Sequence, residues 1–142
     1  MRSRPVLPLL LVAFVATVSG CSHDPGEAVE VGPLVVAVPA GEVAYPAAEV
    51  PGKLTLDGDC VLLDGRPVLW PEGTTWDAEG ETVVLPDGAK VAIGDSVVGG
   101  GGVVPTTVAA NYGGDEVQRA IDACAEQQGV SDMALLASAT DR

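Results

Sequence analysis

The chain has 142 residues, with 7 lysines and arginines against 20 aspartates and glutamates, for a formal charge of −13. That length suits one modest domain. A hydrophobic share of 47% supplies enough apolar surface to offset chain entropy, which excludes disorder over the whole length. So few cations cannot neutralise a run of phosphates, which excludes DNA and RNA as partners.

Arg2 and Arg4 precede an apolar run from Leu9 to Val18, closed by Ser19 and Gly20 before Cys21. Cationic start, apolar run and small residues, in that order, have the form of a secretory signal over residues 1–20. The run is too short to remain as a membrane span, which needs roughly 20 apolar residues. The tetrad Val18-Ser19-Gly20-Cys21 resembles the lipobox of bacterial lipoproteins. The resemblance implies that the Cys21 thiol takes a diacylglyceryl group and becomes the first residue after cleavage. Two acyl chains give stable anchoring where one gives only reversible binding. The exported part is acidic and is repelled by anionic head groups, so its contact with the membrane falls to the lipid on Cys21. The expected location is extracytoplasmic and lipid-anchored.

Pro25, Pro33, Pro39, Pro46 and Pro51 follow at a frequency incompatible with a regular helix. Residues 21–50 therefore read as a tether. Leu34 to Val38 is nevertheless an apolar run of strand length, and Tyr45 is placed to dock on the domain, so the boundary falls between residues 32 and 52. The domain itself is assigned to 51–142.

Within it, short β-rich segments run from Lys53 to Leu56, Cys60 to Leu63, Pro67 to Trp70, Thr82 to Leu85, Ala89 to Ile93 and Ser96 to Val98. Asp57-Gly58, Asp64-Gly65 and Asp87-Gly88 separate them and supply the positive φ of tight hairpins. Strands this short and evenly spaced predict a mainly β fold, a small antiparallel barrel or sandwich in which closure removes exposed edges. Asp115 is placed to cap a helix over about 115–128, with Val117, Ala120, Ile121 and Cys124 on one face and Gly129 at its end. Met133 to Ala137 reads as a closing strand.

Lipidation of Cys21 would leave Cys60 and Cys124 as an even pair in a compartment where disulfides persist. A structural bridge is the favoured reading, clamping helix to barrel. Neither cysteine has a neighbouring Cys or His at metal-ligand spacing, which disfavours a redox or metal pair.

The stretch from Gly52 to Gly102 resembles a domain of unknown function found in envelope lipoproteins, especially of high-GC Gram-positive bacteria. Its carrying residues are Gly52 with Leu54, Gly58 and Cys60, then Leu69-Trp70-Pro71 with Gly73 and Trp76. Leu85, Asp87-Gly88, Val91, Gly94-Asp95 and Gly99 to Gly102 complete the pattern. The resemblance implies a small OB-like barrel and an envelope location, and no activity.

Candidate chemistry is sparse. Gly94-Asp95-Ser96 is similar to a hydrolase nucleophile segment, yet the single histidine, His23, lies on the tether, leaving only Lys53 and Lys90 as conceivable bases. Gly99 to Gly102 lacks the Lys-Ser/Thr of a phosphate loop and reads as a loop or bulge at a barrel corner. Asp57, Asp59 and Asp64 miss the EF-hand spacing, so turn formation is favoured over Ca²⁺ binding. Asp77 and Glu79 are the only paired carboxylates to weigh for acid-base work. Trp70 and Trp76 read first as core and second as stacking surfaces. No catalytic residue, cofactor or metal is expected. The expected role is a non-catalytic protein-binding or structural module facing an envelope protein. The alternative is a small-ligand or cell-wall glycan binder using Trp76, Gly100 and Gly101.

Overall fold

A computed structural model describes residues 30–141. The signal, Cys21 and His23 lie outside the described residues.

The chain forms β1 (Glu30–Val31), β2 (Leu34–Val36), β3 (Ala48–Asp57), β4 (Cys60–Leu63), β5 (Arg66–Trp70), β6 (Thr75–Asp77), β7 (Thr82–Val84), β8 (Lys90–Ala92) and β9 (Ser96–Pro105). A 3₁₀ helix (Thr106–Tyr112), the helix α1 (Gly114–Gln128) and β10 (Asp132–Asp141) follow. Strands β3, β4, β5, β10 and β9 pair in that cyclic order and close a five-stranded barrel. All these pairings are antiparallel except β5 with β10, which runs parallel through Val68 to Ala134 and Leu69 to Leu135. A parallel neighbour needs a crossover, and here β6–β9, the 3₁₀ helix and α1 supply it. This is the OB-like barrel expected, with its single helix in the C-terminal half.

Turn chemistry sets the registers. Between β4 and β5, Asp64 and Gly65 both adopt positive φ, 48° and 79°, as a type I′ hairpin requires. Between β3 and β4, Gly58 takes φ 58° at the first central position, where type II′ turns place glycine. The Asp87-Gly88 turn joins β7 to β8 through a Gly88 N–H to Leu85 carbonyl bond of 2.8 Å, with the Ala89 N–H donating to Asp87 Oδ1. That hairpin belongs to a separate three-stranded sheet, β6-β7-β8.

Strand alternation divides the core in two. Val61 and Leu63 of β4, Val68 and Trp70 of β5, and Ala134 and Leu136 of β10 join one cluster with Leu54 and Val97. The intervening Leu69, Met133 and Leu135 face the other way and pack with Val117 and Ile121 of α1. Cys60 and Leu62 meet Cys124 of the same helix. Strands covered on both faces read as unbroken apolar runs, which is why β4 and β5 lack polar alternation. Burying a side chain such as Ile121 contributes about 2 kcal/mol.

Two expectations are corrected and one open boundary is narrowed. The run Leu34 to Val38 belongs to the folded unit: β2 pairs with β5, and Leu34, Val36 and Ala37 are buried, so part of the proline-rich stretch is core. Asp115 is not the cap of α1. The helix starts at Gly114, with Asp115 and Glu116 in its first turn, where they favour the positive end of the helix dipole. Gln118 reaches back to bond the Thr106 carbonyl and the Ala110 N–H, tying α1 to the 3₁₀ helix. Finally, Gly99 to Gly102 is neither loop nor bulge but the middle of β9, hydrogen-bonded into a sheet between β3 and β10. The bulge sits opposite, at Ala137 of β10, between Leu136 and Ser138. A Cβ at Gly99 would collide with Leu136, and one at Gly101 with the Leu135 carbonyl oxygen, so absent side chains let the strands approach.

Candidate functional site

Helix α1 is bound to the β3–β4 hairpin by three links. The Cys60–Cys124 disulfide joins residues 64 apart. Gln128 Nε2 donates to Asp57 Oδ2 at 2.8 Å, and Gln127 Nε2 to the Asp57 carbonyl at 3.2 Å. The expected helix-to-barrel bridge is thus in place, and its sulfurs are nearly sealed from solvent, with Cys60 and Cys124 only 5% and 7% exposed.

This clamp forms one wall of a cavity of about 570 Å³. Leu34 and Leu56 continue the apolar lining, Ala120 and Ala123 line it from α1, and Trp76 lines it from β6. Trp76 is half-buried and packs against the edge of the larger core cluster. Its ring lies so close over Gly32 that a Cβ there would stand 2.7 Å from Trp76 Cδ1. The charged groups in the lining are Asp59 and Glu81, both exposed. No lysine or arginine lines the cavity.

The other sequence candidates are scattered. Gly100 and Gly101 are ladder residues opposite Glu49 and Ala48 and do not line the Trp76 cavity. Trp70 is fully buried in the core, as its first reading held. Asp64 accepts a bond from the Lys53 N–H, and Asp57 is engaged by Gln128, so these two aspartates serve the hairpins. Asp77 accepts the Glu79 and Gly80 N–H groups and closes the turn after β6. Asp95 accepts the Ala92 N–H, so Gly94-Asp95-Ser96 is the turn into β9. Ion pairs among the described residues join Arg66 to Asp132 and Arg119 to Glu116, each at 2.8 Å.

A second cavity, about 680 Å³, opens beside Val38 and Pro39 at the start of α1. Near this end Tyr45 and Tyr112 pack with ring centroids 5.3 Å apart, and Tyr112 donates its hydroxyl to the Ala44 carbonyl. Burial pushes the Tyr45 phenol above its ordinary value, with the neighbouring Tyr112 and Glu72 acting in the same direction.

The Trp76 cavity itself was not legible in sequence, because its walls come from four segments brought together by the disulfide and the β6 turn. Leu34, Gly58, Asp59, Cys60, Trp76 and Cys124 each carried a signal of their own in the sequence, but none that joined them into one cavity. No family model, curated protein or solved structure matches the chain.

Proposed function

We propose that the chain is a lipid-anchored extracytoplasmic lipoprotein whose barrel acts as a non-catalytic docking module for another envelope protein. The observation that carries the reading is the Cys60–Cys124 disulfide, since such bridges persist in oxidising compartments and are rare in the cytosol. The third cysteine, Cys21, stands at the position where the tetrad resembles a lipobox. The likeness of the Gly52–Gly102 pattern to envelope lipoproteins supports the same location. A formal charge of −13 favours a partner with a basic face and speeds their encounter.

The test is crosslinking in intact cells, comparing the native chain with Cys21→Ala, followed by mass spectrometry of the captured envelope proteins. One envelope protein captured by the anchored form alone is the expected result; enrichment of no protein by either form would remove the docking reading.

A second reading is favoured by the cavity beside Trp76, whose volume lies within the range of small-molecule sites. On that reading the domain is a small-ligand or cell-wall glycan binder. Binding of wall fragments or small ligands by the isolated chain, without any protein partner, separates the two.

A further inference from the structure

We infer that the cavity beside Trp76 binds an organic cation, an ammonium or guanidinium group carried on an apolar stem. The inference rests on the ligand-binding reading of this cavity and is independent of the anchor and of any docking partner.

The lining has three chemical parts. Leu34, Leu56 and the Cys60–Cys124 bridge offer an apolar wall for a hydrocarbon stem. Trp76 offers an indole, the aromatic that attracts cations most strongly through the negative face of its ring. Asp59 and Glu81, two exposed acidic residues, line the same cavity. Neither carboxylate makes a hydrogen bond or an ion pair among the described residues, whereas Asp57, Asp64, Asp77, Asp87 and Asp95 are all engaged by turns or by α1.

The same chemistry disfavours the alternatives. An anion would meet two carboxylates, no lysine or arginine, and the field of a strongly acidic molecule. A bare metal ion is poorly served, since no group of three or more metal-ligating side chains gathers among the described residues. A neutral sugar would stack on Trp76 and donate hydroxyls to Asp59 and Glu81, yet it would leave both negative charges unneutralised. An ammonium or guanidinium on a short aliphatic stem uses all three parts together, whether it belongs to a free amine or to a lysine or arginine side chain.

The test titrates the full chain with n-butylamine, n-butanol and butyrate, and with a glycine-rich pentapeptide carrying a central lysine. Tryptophan fluorescence reports occupancy, and backbone amide shifts at Gly32, Gly58, Ala120 and Ala123 report its place. Saturable butylammonium binding with shifts at those amides is expected, together with weakening of about tenfold or more in Asp59→Asn/Glu81→Gln and further weakening by salt. Both substituted positions are exposed, so the variant's amide spectrum should otherwise match the native one. Tighter binding of the lysine peptide than of butylamine assigns the cation to a polypeptide, and the reverse assigns it to a free amine. Butanol binding as tightly as butylamine, or an unchanged affinity in the double variant, would overturn the cation assignment while keeping the cavity as a ligand site. Saturation by none of the probes would overturn both.

Discussion

Single residues show where the backbone overrides side-chain expectation. Gly101 has φ 155°, and a Cβ there would strike the Leu135 carbonyl oxygen across the β9–β10 ladder. Gly101→Ala should therefore cost about 3 kcal/mol, read as a lowered urea midpoint with unchanged slope. A run of four glycines looks like a loop because it lacks any side-chain pattern; here the pattern belongs to the partner strand, whose Leu136 occupies the space left by Gly99. Trp70 is fully buried, and its Nε1–H has no hydrogen-bond partner among the described residues. An unmade bond of that kind costs about 1–3 kcal/mol, so Trp70→Phe should be mild, about 1.5 kcal/mol or less, while Trp70→Ala should cost about 4 kcal/mol. Thermal unfolding of the two variants measures the difference. Tyr45 supplies a pH signature. Its folded-state pKa is raised above 10.0, so the native chain holds the proton more tightly than the unfolded one. The corresponding stability is complete below pH 10 and is lost as the pH climbs through the folded-state value. Tyr45→Phe should flatten the alkaline end of the stability profile, and an unchanged profile would assign that loss to other groups.

At the scale of elements, the hairpins and the helix were legible because their signals are local. Asp64-Gly65 meets the positive φ of its turn by itself, and Gly129 ends α1 in the left-handed conformation with its N–H returned to Ala125 and Glu126. The pairing of Cys60 with Cys124 was legible once Cys21 was set aside, since the helical stripe already turned Cys124 inward. The parallel β5–β10 pairing and the insertion of β2 were not, because each depends on strands distant in the chain. Nor was β6, whose three residues carry no alternation beyond Trp76. The clamp between α1 and the β3–β4 hairpin closes a separation of 64 residues, for which the loop-entropy relation gives about 4 kcal/mol. A Cys60→Ala/Cys124→Ala variant should lose about 2–4 kcal/mol against the oxidised chain in denaturant unfolding, and α1 amides should exchange faster with solvent. Equal stability of the two chains would show that the hydrophobic contacts of Val117 and Ile121 hold the helix unaided.

Over the whole molecule, the described residues form a small barrel clamped to one helix by the Cys60–Cys124 bridge, with several of its carboxylates spent on turns. The fold class followed from short strands and turn dipeptides; the cavity did not, because it is a property of assembled walls. Export of this domain and its anchoring by lipid at Cys21 are tested by mass spectrometry of the protein isolated from the membrane fraction of its native cells. The expected result is an amino terminus at Cys21 carrying a diacylglyceryl group, with the Cys60 and Cys124 peptides joined. A chain that retains residues 1–20 with an unmodified Cys21 and free thiols at Cys60 and Cys124 would contradict it.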